Sequence, residues 1–543
     1  MFREPLFQQD ILKHIIKYMS FYLGYEHWFL IFCAVLFFIY CCYKVLMYKN
    51  EVSYASNFDS KVYPFSYKDI KAVYGFMFLI LCLVYNIFGI FNQEMSLFAN
   101  YDTRYHVILL FNDGGLPMWA VEGRFYPLAF WDTRIVYALT HNFFVINTYL
   151  SIQSVIIAWL LNCFLKFLPV WKRFLCIGLI MISPAVFSIS SIVFSERLLL
   201  MYIIGSLICM QKFSEQSDKK YFLWFAILLI NCALFSKELC VLFYFGILVY
   251  YSLGLILSGK IVPASFLSPI KTARTYPFET LLFLSIASFV SLYLIYMYTL
   301  FDSRYLFYRL VDFWGLCKLY YIEIIITTIV LILFVKKLFC SHKCIFMEAM
   351  AFGCIFLTIF LIFVLKLGQT VPCMAYLSYY LIIPSVIGMM YILWHIKNKY
   401  LLIFICCGLF VNSLLRNEVI RRHQDGVYYR ELAEALMLEN KEPQMNVFLA
   451  NHMEYNIWYI RSFVLPYKYY WPKKHINFFS SETDENVIKI YGEDNIFHKE
   501  KPSFGDYYVM RKDEHYFEDL QQISDMNKEK IFENKMFEVY LIK

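Results

Sequence analysis

Long apolar runs separated by short basic stretches set the pattern of this chain. The runs fall at 28–47, 72–92, 149–169, 174–191, 197–211, 221–236, 239–258, 280–299, 319–335, 345–365, 377–394 and 400–415. Runs of this length and apolarity predict transmembrane helices, about twelve in all. The basic stretches take alternate loops. They hold Lys44, Lys49, Lys61, Lys68 and Lys71; Lys172 and Arg173; Lys212, Lys219 and Lys220; Lys260, Lys271 and Arg274; Lys336, Lys337 and Lys343; Lys397 and Lys399. Counting twelve spans puts all of them on one side, which the positive-inside bias makes cytoplasmic. Both termini are then outside, and Lys13 and Lys17, before the 28–47 run, stand mildly against the rule.

The outer side differs in kind. It carries a loop over 93–148, a shorter one over 300–318, and everything after 416. There the pattern shifts from membrane runs to mixed amphipathic segments. "RRHQDGVYYRELAEALMLENKEPQMNVFLANHMEYNIWYIRSFV" predicts helix, strand and helix. "GDYYVMRK" predicts a further strand, "YFEDLQQISDM" a helix, and "KIFENKMFEVYLIK" a hairpin turning near Asn534-Lys535. The expected organisation is a membrane region over 1–415 that includes the 93–148 loop, followed by a small α/β extracytoplasmic domain over 416–543. No internal repeat or low-complexity segment interrupts it.

Composition sharpens this picture. The 543 residues are 60% hydrophobic, 20% aromatic and 17% charged, and the mean hydropathy is +0.54. A soluble protein of this length needs far more polar surface. The net charge of +7 arises largely in the inner loops, so it is no signature of nucleic-acid binding. The 16 cysteines lie in or beside apolar runs without zinc spacing, which predicts small buried apolar side chains. The first long apolar run lacks a small-residue cleavage site and leads into a basic loop, so no cleavable signal is expected.

The candidate chemistry lies on the outer side. "NYDTRYHVILLFNDGG" places Asp102, Arg104, Tyr105, His106 and Asp113 just past a span; Glu122, Arg124, Asp132 and Arg134 follow in the same loop. Leu109, Leu110, Phe111 and Trp119 between them suit a segment lying along the membrane interface. "FSERLLL" puts Glu196 and Arg197 at an outer span start, "LFSKELCVLF" puts Lys237 and Glu238 at an outer hairpin, and "YTLFDSRYLFYRL" adds Asp302, Arg304 and Arg309. Charges near membrane depth are costly and mark function or a helix end. A guanidinium matches two phosphate oxygens at once, and lysine acts as a point charge. Helix-end readings stand beside these. Asp102 is a good N-cap for a helix over 103–112. Ser195 and Ser236 also read as N-caps, with Glu196 and Glu238 in first turns favoured by the helix dipole. Arg197 and Lys237 suit snorkelling, and Asp113 suits a turn before Gly114-Gly115. His106 and His141 have no third ligand at metal-site spacing.

Together these segments resemble a known family. "YDTRYHVILLFNDGGLPMWAVEGRFYPLAFWDTRIVYAL" is similar to the first periplasmic loop of the GT-C superfamily of membrane glycosyltransferases, notably the lipid A aminoarabinose transferases and their protein O-mannosyltransferase relatives. That family carries Asp-Glu-x-Arg-Tyr after an early span; here Asp102, Arg104 and Tyr105 match with one position missing, and Thr103 stands where the second acid would be. "LFSKELCVLF" resembles the family's Ser-Lys-Glu outer hairpin, "FSERLLL" a recurring Glu-bearing span start, and the tail its closing strand pair. The likeness runs from about residue 72 onward, and the 28–47 span is an addition to it.

The resemblance implies a GT-C-like α-helical polytopic fold in the bacterial inner membrane, with the active site facing the periplasm. It implies a polyprenyl-phosphate-linked sugar donor taken from the membrane lipid and an envelope glycan or lipid acceptor, such as lipopolysaccharide. Asp102 would act as general base on the acceptor hydroxyl, with inversion at the sugar. Arg104, Lys237 and Arg304, with Arg124 and Arg197 behind them, would bind the donor phosphate; Tyr105, Glu196 and Glu238 would support them. No metal and no cofactor is called for, because side chains supply the cations. Other readings of the same residues are a transporter or flippase, an O-antigen polymerase, and a non-catalytic receptor. The concentration of charge at outer helix ends, rather than at the midplane, favours an interfacial enzyme over a transporter.

Overall fold

A computed structural model describes residues 63–91, 128–140, 142–190, 195–216, 219–257, 276–300, 321–340, 346–365, 382–423, 427–439, 444–450, 467, 471, 474–480, 496–512 and 516–543. The expected 28–47 span therefore lies outside the described residues, as do Asp102, Arg104, Tyr105, Arg124 and Arg304.

The membrane region is a helical bundle. Its helices are α1 (Ile70–Phe91), α2 (Trp131–Leu139), α3 (Phe143–Phe164), α4 (Val170–Ile182), α5 (Pro184–Ser190), α6 (Glu196–Glu215), α7 (Lys220–Ser236), α8 (Cys240–Leu257), α9 (Pro277–Leu300), α10 (Tyr321–Cys340), α11 (Phe346–Ile359), α12 (Ile382–His395) and α13 (Lys399–His423). A π-helical turn, Phe360–Leu365, extends α11. Five of the described helices are long and apolar enough to cross a membrane, and a sixth crossing is made if α4 and α5 count as one bent span. The chain is thus a polytopic membrane protein. Nine of the cysteines are seen as free thiols, five of them buried, as their apolar settings predict.

Local chemistry explains the helix ends. Asn142 begins α3 by accepting from the Phe144 amide at 3.0 Å, so that helix starts earlier than the apolar run does. Asn398 does the same for α13, accepting from Tyr400 at 3.0 Å and Leu401 at 3.2 Å. The run at 174–191, expected as one span, is instead broken at Ser183-Pro184 with a bend of 58°. Proline has no amide hydrogen and its ring collides with the preceding turn, and the residue before it is driven out of the helical region. Ser183 accordingly has φ −59° and ψ 144°.

The break frees carbonyls inside the bundle, and side-chain amides from distant helices take them up. Asn86 of α1 donates to Met181 O at 2.9 Å, and Asn417 of α13 donates to Ile182 O at 2.7 Å. Irregular backbone at membrane depth is tolerated where protein groups satisfy it. Elsewhere the bundle closes by close backbone approach. A Cβ on Gly246 of α8 would sit 2.8 Å from Gly353 Cα of α11, and one on Gly353 would sit 2.7 Å from Phe243 O. Small residues at such crossings let two helices touch along their backbones.

The C-terminal segment has its own core. Helix α14 (Val427–Glu439) precedes β1 (Gln444–Leu449), β2 (His475–Ser480), β3 (Ile496–His498), β4 (Tyr507–Arg511), α15 (Tyr516–Gln522), β5 (Lys528–Glu533) and β6 (Phe537–Ile542). The sheet order is β3-β2-β1-β4-β6-β5. The first four strands are mutually parallel, and β6 and β5 add antiparallel. Apolar β1 and β4 sit centrally, as parallel strands covered on both faces require; Val447, Phe448, Tyr508 and Val509 are buried with Leu432 and Leu436 of α14. Charged β5 lies at the edge, where lysines and glutamates discourage pairing with another chain. The predicted hairpin is present. Asn534 turns it by accepting from the Met536 and Phe537 amides at 2.9 and 2.8 Å, and donates to Tyr428 O of α14 at 3.1 Å.

A charge cluster joins β4, β5 and β6. Lys530 lies 3.1 Å and Lys512 3.4 Å from Glu538 Oε1, Tyr540 and Tyr516 donate to its Oε2 at 2.7 and 3.0 Å, and Lys512 also pairs with Glu533. Burial opposes ionisation of Glu538, but the hydrogen bonds from Tyr540, Lys530 and Tyr516 outweigh it and lower its pKa. Hydrogen bonds from Lys512 and Lys530 hold Glu533 down at about 2.

Two outcomes are expected. Gly353→Ala should destabilise the bundle by about 1–3 kcal/mol through overpacking, whereas Gly408→Ala, with open space at its Cβ, should not; thermal unfolding of the detergent-solubilised protein checks both. The depressed carboxylates stabilise the sheet fully above their unfolded pKa of about 4.3, and that contribution is lost as pH falls through the folded values. Protection factors for the β5–β6 amides, measured by hydrogen exchange in the full chain, should therefore hold from neutral pH and fall in acid. Glu538→Gln should flatten that fall.

Candidate functional site at the outer helix ends

Three segments that are far apart in sequence meet at helix ends assigned to the outer side by the charge pattern: the return of the 93–148 loop, the start of α6, and the α7–α8 hairpin. Backbone bonding brings the first to the third, since the Leu128 amide donates to Phe235 O at 3.0 Å. Trp131, the first residue of α2, donates from Nε1 to the Tyr202 hydroxyl of α6 at 3.0 Å. Between them Phe130 adopts φ 62°, the sole non-glycine with positive φ among the described residues. For a bulky side chain this conformation is strained and needs support from its surroundings. Here Phe130 is buried and its carbonyl accepts from Thr133 Oγ1 at 3.0 Å.

Directly after this turn, Asp132 enters the bundle. Its Oδ2 accepts from Tyr149 at 2.8 Å and from Gln153 Nε2 at 2.7 Å, both on α3. Gln153 Oε1 in turn accepts from Arg197 Nε of α6 at 2.9 Å. The amide thus relays between carboxylate and guanidinium, with its donor end on the acid and its acceptor end on the base. Arg197 Nη1 donates to Ile189 O at 2.6 Å and Ser190 O at 3.1 Å. These are carbonyls at the end of α5, where a helix leaves its last acceptors unpaired. Arg197 has 0% of its surface exposed. It does not snorkel; in this state its guanidinium faces the protein's own acceptors.

The neighbouring residue faces another partner. Glu196 Oε1 pairs with Lys237 Nζ at 2.8 Å, and both side chains are largely buried. Lys237 leaves α7 in extended conformation, φ −159° and ψ 120°, and the turn closes with the Cys240 amide on Lys237 O at 3.1 Å. The expected N-cap roles are corrected here. Ser236 ends α7 rather than starting α8, its hydroxyl donating to Cys232 O at 2.6 Å. Glu238 therefore lies in the hairpin turn and not in a first helical turn. Ser195 occupies the N-cap position of α6 but makes no side-chain cap bond; its hydroxyl donates to Glu196 Oε2 at 3.4 Å.

Of the residues singled out from sequence, the structure brings together Glu196, Arg197 and Lys237. Asp132 was one of many loop charges in the sequence, and Tyr149 and Gln153 carried no assignment. Their signal was there to read, because a glutamine inside the apolar run of α3 needs a polar partner at membrane depth. A second ion pair at outer ends, Arg416–Glu323 at 3.6 Å, lies against Tyr321, whose ring sits 5.5 Å from the guanidinium. At the opposite ends, His395 Nε2 stands 4.0 Å from Glu348 Oε1. No group of three or more metal-ligating side chains occurs among the described residues.

The fold and site define a polytopic membrane protein with paired charges buried at one set of helix ends. No family model matches the chain, and no curated protein matches its sequence. Among solved structures it is similar to the crystal structure of ArnT from Cupriavidus metallidurans in the apo state, with TM-score 0.46 and 10% sequence identity over 86% of this chain and 97% of that chain.

Proposed function

We propose that this chain is a GT-C-type membrane glycosyltransferase with about twelve spans, moving a sugar from a polyprenyl-phosphate donor to an envelope glycan or lipid at the periplasmic face of a bacterial inner membrane. The observation that carries the reading is the Glu196–Lys237 pair at 2.8 Å. It joins two of the segments whose sequences resemble the family, at helix ends that the charge pattern assigns to the outer side. Lys237 is a cation held ready by a carboxylate that can yield it to phosphate. In this reading Arg104 and Arg304 add further cations, with Arg124 and Arg197 behind them, and Tyr105, Glu196 and Glu238 in support. Asp102 takes the proton from the acceptor hydroxyl as that oxygen attacks the anomeric carbon. The carbon–phosphate oxygen bond breaks, the lipid phosphate leaves with the electron pair, and the sugar inverts. Positioned base catalysis of this kind contributes about 10²–10⁴-fold, and each charge-stabilising donor roughly 3 kcal/mol.

A transporter reading draws on one observation, the break between α4 and α5, because broken helices build transporter sites. Here, however, Asn86 and Asn417 occupy the Met181 and Ile182 carbonyls at that break, so these carbonyls are engaged within the protein.

Mass analysis of envelope glycans with and without the gene, followed by assays with defined polyprenyl-phosphate sugars, tests the reading. Asp102→Asn should abolish transfer while the protein still inserts and purifies; near-normal turnover removes Asp102 from the mechanism. Lys237→Ala should weaken donor use about 10²-fold and also destabilise the protein, because it leaves Glu196 buried without its partner. The double variant Lys237→Met with Glu196→Gln separates the two effects. It should recover the melting temperature and not donor use, and recovery of both would remove Lys237 from phosphate binding.

A further inference from the structure

Two acids and two bases stand side by side at the outer helix ends, and the way they are shared out is specific. Arg197 and Glu196 are consecutive residues in the first turn of α6, so their side chains leave the helix about 100° apart. Arg197 turns to Asp132 through Gln153, and Glu196 turns to Lys237. A fully buried guanidinium without a counter-charge takes the nearest one available. If Asp132 were neutral, that carboxylate would be Glu196.

We propose that Asp132 is a positioning residue for Lys237: by neutralising Arg197 through Gln153, it keeps Glu196 committed to the lysine. Asp132 touches neither Glu196 nor Lys237 in this scheme; it acts through Arg197. The relay explains why a glutamine, rather than an apolar residue, stands at 153, and why Tyr149 donates to the same Asp132 oxygen. It also gives the loop return a task. The strained turn at Phe130 and the Trp131–Tyr202 bond set Asp132 at the mouth of α2, pointing at α3. The consequence for phosphate chemistry rests on the reading of Lys237 given under Proposed function, but the sharing of charges does not.

The test uses the purified full chain in detergent. An amine-acylating reagent is applied and the modification of Lys237 is followed by mass spectrometry, with exposed Lys71 as internal reference. Asp132→Asn should raise Lys237 acylation relative to Lys71 at least about fivefold, the scale of coupling expected between contacting groups. Asp132→Asn combined with Gln153→Glu places a carboxylate directly on Arg197 and should return the rate to the wild-type value. Tyr149→Phe, which removes a hydrogen bond from the network but leaves its charge, should leave the rate within twofold of wild type. Equal effects of Tyr149→Phe and Asp132→Asn mean packing rather than charge and overturn the proposal. An unchanged rate in Asp132→Asn does so as well. If that single variant does not fold, the charge-restored double variant decides: wild-type labelling supports the proposal, and failure to fold or altered labelling overturns it. Binding of undecaprenyl phosphate by the same proteins separates the two readings. It should weaken in Asp132→Asn and recover in the double variant. Absence of binding to wild type, with the labelling pattern intact, removes the proposed function and leaves the sharing of charges standing.

Discussion

A guanidinium with no exposed surface has to be neutralised where it lies, and Arg197 imposes that requirement on half the bundle. Removing a charge from water costs several kcal/mol even after relaxation, and within a membrane protein the neighbouring lipid offers no relief. Its acceptors here come from α3 and α5, the acid of α2 stands behind Gln153, and the arginine itself stands on α6. The carbonyls at the end of α5, a helix of seven residues, are available because a helix leaves its last acceptors unpaired. Its shortness follows from Pro184, which separates it from α4. Arg197 fills the last acceptors of α5, and filling them fixes the position of α6 and of Glu196 at its start.

The bundle's outline was legible because apolar runs of membrane length leave few alternatives, and the runs after 72 each have a helical counterpart among the described residues. The tail was legible for a different reason. Its β1 and β4 are short apolar runs flanked by turn residues and Asn534 marks its hairpin, whereas β2 and β3 were not expected from the sequence. What escaped the sequence reading depends on tertiary partners. Pro184 sits inside a continuous apolar run, and its effect was hidden by composition. Ser236 looked like a cap because it precedes Lys-Glu, yet its hydroxyl turns back to Cys232 O. Asp132 could not be ranked above Asp113 or Glu122 without knowing that Gln153 and Arg197 converge on it. Lone amides within apolar runs, Asn86, Gln153 and Asn417, were the readable signal for that convergence, since each needs a partner at membrane depth.

The same physics limits what Arg197 and Lys237 can each do. Arg197 spends its Nε and Nη1 hydrogens on fixed acceptors that are parts of the fold, so exchanging them for a ligand would undo the contact between α5 and α6. Lys237 has a carboxylate partner on a flexible side chain, and an ammonium carries three donors on a long stem. Exchange of Glu196 for another anion requires rotation of side chains only. Of two cations a few residues apart in space, the lysine is the one whose bonding can change without moving a helix.

Three buried acids, Glu196, Glu323 and Glu348, share one placement: each lies in the first turn of its helix, α6, α10 and α11. Their bases, Lys237, Arg416 and His395, stand at or toward the C-terminal ends of α7, α13 and α12. Acids at helix N-termini and bases at C-termini are each favoured by the helix dipoles, so antiparallel neighbours place such pairs side by side without further design. That placement alone accounts for the pairs at Glu323 and Glu348 as pins between helices. It does not account for the pair at Glu196, which has Arg197 and Asp132 beside it, joined through Gln153. A pin needs no such arrangement. A site whose lysine must be held in position for an incoming anion does, because a neighbouring unpaired arginine would take the carboxylate that holds it.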